Sequence, residues 1–473
     1  MAHTRKTPSR NCDGEVPLLS GSLNVPQRPT PLPKIQIVVL LLACFIEPIA
    51  SQSILPYINQ LVSELDIVGG DTRKVGYYAG LIESLFFVTQ ALTVLHWSRV
   101  SDRVGRKPVL LLGTFGLCLS MLCFGLSRTF WGLVLSRCIT GALNGNTGIT
   151  KSMMGELTDA TNRAQGFALL PMTWSIGIMF GPAIGGSLAR PQDHFPRIFA
   201  AGFWRDYPYF LPSLVAAMFA AAAFITILLF LNEVKTSRGG DYGTINETYG
   251  PSGSNELGGP VPLRSLLVPK VLVPVACHAS ISVLQLALTA LQALFYSTPV
   301  EDGGLGFTPA TSGFWMSCQG VANGILQAFF FAPLISKLGA KTLFRIGHGA
   351  YILSFGLFPI VHLIAWRSGI VWSVWALLAC QLFLTVVQTM SFSCVLLYLN
   401  SSAPHPKALG AVIGLSQTTA SIARAIGPAL ATSMFAYSVE HNLVGGYAVY
   451  LVMIAMTLAT SRFITMLPVE PGE

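Results

Sequence analysis

Three ionisable side chains interrupt apolar runs in the first third of this sequence: Glu47, Glu83 and Arg137. In a nonpolar medium such groups are costly and persist where they pair or face water. A carboxyl held away from water favours its neutral form unless a cation compensates it. A carboxyl near a single arginine is therefore suited to taking up and releasing a proton. Two carboxyls compete here for Arg137, and at least one is expected to cycle its proton. The alternative is that one of them only neutralises the arginine. Glu47 is followed by Pro48 and Pro56, which mark a bent helix of the kind that lines a cavity. In the last third, Arg424 is a basic residue inside an apolar run with no acidic companion in the runs around it. It is expected to face substrate or to bond helix carbonyls. Gln285, Gln292 and Gln388 are candidates for lining a substrate cavity, although a lone amide on an apolar helix also serves to bond a neighbouring helix. Gln381 and His278 are polar points of the same kind.

Two motifs carry spacing as well as residue type. The first, Trp97-Ser-Arg-Val-Ser-Asp-Arg-Val-Gly-Arg-Lys-Pro108, gathers Asp102, Arg103, Gly105, Arg106 and Lys107 in one short loop. Gly105 allows a tight turn. Asp102, at a helix end, can pair with cations and helix termini on a neighbour. A loop that served only as a basic anchor would not need that aspartate. The second is Gly177-x-x-x-Gly181-Pro182-x-x-Gly185-Gly186. Spacing of four puts Gly177, Gly181 and Gly185 on one smooth helix face that another backbone can approach closely. Pro182 removes a backbone bond and favours a bend.

The elements that must hold these residues are membrane helices. The chain of 473 residues is 52% hydrophobic and 11% charged, against about a quarter charged in a soluble domain. Its mean hydropathy is +0.59. Apolar runs of about 20 residues, the length that crosses a bilayer, begin near Ile35, Gly76, Pro108, Phe130, Gly166 and Pro208. A second set begins near Val271, Thr311, Thr342, Ile370, Gly410 and Gly446. The fifth and eighth are the richest in Gly and polar residues. The expected fold is an all-α polytopic membrane protein with twelve transmembrane helices in two six-helix halves, residues 35–232 and 271–466. A tail at 1–34, a flexible Gly- and Pro-rich loop at 233–270 and a tail at 467–473 complete it. The halves echo each other. Arg103-Val-Gly-Arg-Lys107 after the second helix returns as Lys337-Leu-Gly-Ala-Lys341 after the eighth. Ser175-Ile and Gly181-Pro-Ala-Ile in the fifth helix return as Ser421-Ile and Gly427-Pro-Ala-Leu in the eleventh. The smooth face at Gly181 is expected to meet a helix of the other half, with Gly186 off that contact.

Charge placement orients the chain. With both termini in the cytosol, Lys and Arg favour the cytosolic side by twenty to seven, with Arg137 and Arg424 inside spans. The sequons at Asn246 and Asn400 then lie on the cytosolic side and should carry no glycan. The formal net charge of +8 does not point to nucleic acid, because no dense basic stretch interleaves with aromatics. The cysteines show no CxxC or ligand spacing and are read as small apolar fillers, so no metal site is expected. No nucleophile elbow, phosphate-binding loop or metal-ligand cluster supports an enzyme, and no Walker motif supports ATP as the energy source.

The loop at Asp102–Lys107 resembles the Gly-x-x-x-Asp-Arg-x-Gly-Arg-Lys signature of the major facilitator superfamily, with Ser98 in place of the leading glycine. The Gly177–Gly186 pattern resembles that family's antiporter signature, and Arg137 with Gly141 its Arg-x-x-x-Gly motif. Phrases such as Glu47-Pro-Ile-Ala, Gly76-Tyr-Tyr-Ala-Gly-Leu-Ile-Glu83 and Arg424-Ala-Ile-Gly-Pro428 resemble the fungal branch of the twelve-span drug:proton antiporters, itself similar to plant zinc-induced-facilitator-like carriers. The resemblance covers about residues 35–466. It implies proton-driven export of small organic molecules such as drugs or secondary metabolites by alternating access. Asp102, Arg103, Gly105, Arg106 and Lys107 would act as a conformational latch, and Glu47, Glu83 and Arg137 as proton-coupling groups. No cofactor is expected beyond the proton gradient, and the partners are a small-molecule substrate, protons and the lipid bilayer, in a monomer. The plasma membrane is the expected location, with the vacuolar membrane as alternative. Competing readings are an importer or vacuolar carrier of a nutrient, organic acid or metal chelate on the same fold, and a receptor that has lost transport.

Overall fold

The computed structural model describes residues 31–158, 162–233, 267–402 and 409–470. The sequon at Asn246 and nearly all of the expected N-terminal tail and central loop lie outside them, as does the side chain of Asp102. The long helices are α1 (Lys34–Ile54), α2 (Val75–Val104), α3 (Arg106–Gly125), α4 (Phe130–Leu143), α5 (Asn146–Leu157), α6 (Arg163–Leu188) and α7 (Phe210–Phe230) in the first half. The second half has α8 (Pro269–Ser297), α9 (Pro309–Leu338), α10 (Ala340–Ser368), α11 (Trp372–Ser401), α12 (Leu409–Glu440) and α13 (Ala448–Thr465). No strand occurs among the described residues.

Nine helices among the described residues are long and apolar enough to cross a membrane by length and composition. The three further units needed for twelve are the α4–α5 pair, α6 and α12, whose apolar runs are diluted by the Gly, Pro and polar residues already singled out. The eighth unit, α9, qualifies in spite of its polar composition. The α4–α5 pair is one helical unit broken at Asn144 and Gly145. The Trp97 indole of α2 fills the break and donates to the Ala142 carbonyl at 2.6 Å, taking over a backbone acceptor near the end of α4. A Cβ on Gly145 would fall 2.6 Å from the Trp97 Cβ, so the break needs a glycine there. Trp131, Trp366 and Trp372 are exposed near helix ends opposite the Arg103–Lys107 loop, where an aromatic belt would sit at a membrane interface.

The internal repeat is visible in the packing. Gly105 and Gly339 hold the equivalent turns after α2 and α9 at φ 111° and 77°, a region that L side chains avoid. Two residues on, Lys107 Nζ donates to the Leu228 carbonyl on α7 at 2.9 Å. Lys341 Nζ donates to the Thr465 carbonyl at the end of α13 at 3.3 Å, and to that of Leu467. Each lysine thus caps the last helix of its own half. Gly181 of α6 lies against Ile49 and Gln52 of α1, and Gly427 of α12 lies against Val283 and Ala287 of α8.

The halves meet at the end away from the Arg103–Lys107 loop. Two helix pairs carry the contact, α6 with α9 and α2 with α12. A Cβ on Gly313 would fall 2.4 Å from the Pro182 carbonyl oxygen, and one on Gly80 would fall 3.2 Å from that of Pro428. The same small-residue crossing therefore occurs on both sides of the interface. Thr72 donates to Asp302 at 2.7 Å, Tyr77 to Glu440 at 3.3 Å, and the Ala429 N–H to Ser84 Oγ at 3.0 Å, all joining the halves on this side.

This packing corrects the expectation for the glycine face. Gly177, Gly181 and Gly185 meet Pro48, Ile49, Gln52 and Ser53 of α1, in their own half; a Cβ on Gly185 would fall 1.8 Å from the Ser53 carbonyl oxygen. The contact with the other half falls to Gly186, whose Cβ would lie 2.4 Å from the Pro309 carbonyl oxygen. Helix α6 lies between α1 and α9, and positions 182 and 186 are turned from positions 181 and 185 by about 100°. Periodicity identified a shared face but not the helix on the far side of it.

The two faces should therefore fail differently. Gly181→Leu overpacks one half and should lower the melting temperature of the purified protein, at a cost of about 1–3 kcal/mol. Gly313→Leu should spare each half but part the seal. With cysteine introduced at Ala79, labelling by an impermeant maleimide added at the sealed end should rise severalfold in the Gly313 variant. Unchanged labelling would contradict this assignment of the seal.

Candidate functional site

The loop between α2 and α3 is anchored within its own half. The Glu233 carboxylate accepts the backbone N–H groups of Arg106 at 2.6 Å and Lys107 at 2.9 Å, satisfying two donors at the start of α3. The Arg106 guanidinium donates to Glu156 on α5 at 3.0 and 3.2 Å and to Ser101 Oγ at 2.7 Å. Arg103 is exposed. Glu156 and Glu233 were not candidates on sequence grounds, because one lies at the end of a helical run and the other at the edge of the central polar stretch.

The three membrane-depth charges, Glu47, Glu83 and Arg137, sort into two places. Glu83, on α2, and Arg137, on α4, line one cleft with Ser51 and Leu55. Arg137 is 5% exposed. Its guanidinium lies 4.8 Å from the Phe86 ring centroid, and its Nε has no hydrogen-bond partner among the described residues. The two charges act on each other electrostatically but form no ion pair within 4.0 Å. Glu83 also lines a second cleft with Gly80, Ala290, Ala293 and Thr432. It therefore sits at the seam where α2 meets α8 and α12 of the other half.

Glu47 is elsewhere, which corrects its expected pairing with Arg137. Its carboxylate accepts from the Thr147 hydroxyl at 2.6 Å and from the Gln90 amide at 3.5 Å. It is an electrostatic neighbour of Lys151 and of Arg424. Lys151 is on α5, one turn beyond Thr147. Its position about twenty residues past the start of the fourth apolar run groups it with the cytosolic loop cations; the helix that resumes after Asn144–Gly145 instead sets Lys151 beside α1. Arg424 arrives from the second half. In the antiparallel crossing of α2 and α12, Gly80 meets Thr432 and Ser84 meets Ala429, a register that brings Arg424 opposite Gln90, the residue bonded to Glu47. Arg424 thus has an acidic companion, contributed by the other half.

The amide candidates divide. Gln292 donates to Tyr296 at 2.8 Å and Gln388 to Ser354 at 2.7 Å, both buried within the second half. These bonds occupy them in helix packing and remove them from the cavity set. Gln285 is partly buried and, midway between Val283 and Ala287, points to the side of α8 opposite their contact with Gly427. It remains a cavity candidate. His278 bonds Ser416 at 2.7 Å between α8 and α12.

Residues 40–468 match the model of the Major Facilitator Superfamily. The chain belongs to that superfamily. It is 32% identical to the efflux pump azaK of Aspergillus niger over 433 residues, 92% of this chain and 88% of that relative. It is 28% identical to the protein Zinc Induced Facilitator-Like 1 of Arabidopsis thaliana, covering 84% and 83% of the two chains. The crystal structure of a D-xylose–proton symporter superposes with a TM-score of 0.68 at 13% identity, over 93% of this chain and 99% of that one. The protein is thus a multi-pass membrane transporter of small molecules and not an enzyme.

Glu233 should stabilise the loop measurably. Glu233→Ala leaves two helix N–H groups without their acceptor and should cost about 1–2 kcal/mol. The readout is the thermal unfolding of the purified protein, where an unchanged midpoint would contradict the capping role.

Proposed function

We propose that this transporter is a proton-coupled antiporter that exports small organic molecules by alternating access. The observation that carries the reading is Glu83: a membrane-depth carboxyl at the moving seam between the halves, near Arg137 but not ion-paired with it. Opening the sealed end would rehydrate Glu83, and closing it would return the carboxyl to an apolar cleft, so the same motion that moves substrate changes the environment of the proton site. Glu47, held between cations, is less suited to that task. The likeness to the efflux pump azaK supports export. With the basic loops toward the cytosol, the sealed end would face outward and the molecule would be open inward, in the plasma membrane. The loop at Asp102–Lys107 would then act as a latch, engaging the second half only in the opposite state.

In proteoliposomes with an imposed pH gradient, Glu83→Gln should abolish the dependence of transport on the gradient while substrate exchange at equal pH persists. Glu47→Gln should keep gradient dependence. An unchanged gradient response in Glu83→Gln would defeat the proposal. In the same assay Asp102→Asn should reach the membrane and lose turnover, and wild-type rates would remove the latch from the account.

A further inference from the structure

Residues Lys151, Arg424 and Glu47 form a charge cluster that the proton site does not use. Two basic side chains from different halves lie within electrostatic reach of the Glu47 carboxylate, which itself accepts from Thr147 at 2.6 Å and Gln90 at 3.5 Å. Neither cation forms an ion pair within 4.0 Å among the described residues. His278, on α8, is a further neighbour of both and is engaged by Ser416. The cluster therefore holds one positive charge in excess, at membrane depth on side chains that are only partly buried, where an arriving anion can reach it. The excess sits on the unsealed side of the Ser84–Ala429 contact, between halves that must move apart and together.

We propose that this cluster is the substrate site and that it takes a molecule bearing an anionic group, such as a carboxylate, bound jointly by Lys151 and Arg424. The anion makes the balance two against two, so the halves can close around a neutral cluster. An arginine offers a planar fork for such a group, and a lysine a second point charge. Glu47, the anion that offsets both cations when the site is empty, competes with the arriving anion. This rests on the transport reading above and adds the substrate class to it.

The test uses the purified full-length protein in detergent, without a gradient, and matched pairs of probes: benzoate, salicylate, cinnamate and indole-3-acetate, each against its neutral amide. Binding is read by isothermal titration and by thermal stabilisation. At least one acid should bind and stabilise while its amide does not. Lys151→Gln and Arg424→Gln should each weaken that acid by about tenfold or more, and Lys151→Arg should retain it. Glu47→Gln should tighten it, an opposite sign that a loss of folding cannot produce. Amides that bind as well as acids, acids indifferent to these variants, or a panel in which no acid binds would each overturn the assignment. Acid binding with no gradient-driven transport would leave this site standing and remove proton coupling instead.

Discussion

Backbone meets backbone at two crossings between the halves, Gly313 against the Pro182 carbonyl and Gly80 against that of Pro428. Apolar side chains cannot drive helices together in lipid, so association depends on close packing and interhelical hydrogen bonds. Residues without side chains make that packing possible at one end. The crossings concentrate contact in a narrow seal, beside which a few hydrogen bonds among the described residues link the halves. Such a seal is strong enough to close one end and small enough to be exchanged for another. Because the two crossings are copies of each other, a single rocking motion would open both.

The buried charges are arranged around that seal. Glu83 lies in it, with Arg137 behind, so opening and closing act directly on its access to water. Glu47 lies away from it, between a lysine of its own half and an arginine of the other. Under the proposed coupling, a group whose protonation reports on opening has to be at the seam, and under the proposed substrate site a group that binds a charged molecule has to be where both halves contribute and where the open side reaches. The break at Asn144–Gly145 makes this division possible, since it sets Arg137 on α4 and Lys151 on α5 facing different clefts.

Much of the fold was legible in the sequence, because helix existence in a membrane depends on run length and little else. The helix starts at Lys34, Val75, Arg106, Phe130 and Ala340 fall within a few residues of the apolar runs. The paired loops at Gly105 and Gly339 echo in conformation as they do in sequence. The nearness of Glu83 to Arg137 was also foreseeable from their depth. What was not legible depends on neighbours from distant parts of the chain. Trp97 decides where the fourth unit breaks, and hence that Lys151 is inside. Rotation of α6 decides that Gly181 meets α1 and Gly186 meets α9. Tyr296, one turn on in the same helix, engages Gln292, and Ser354 on the adjacent helix engages Gln388, which withdraws both from the cavity. Glu233 becomes a helix cap only once α7 ends beside α3.

In the proposed mechanism the exchangeable proton resides on Glu83 and not on Glu47. Infrared difference spectra of the purified protein between alkaline and acidic buffer report protonated carboxyl C=O bands directly, without a substrate. A band that titrates in the wild type should vanish in Glu83→Gln and persist in Glu47→Gln. A band that survives in Glu83→Gln and is lost in Glu47→Gln would contradict the account.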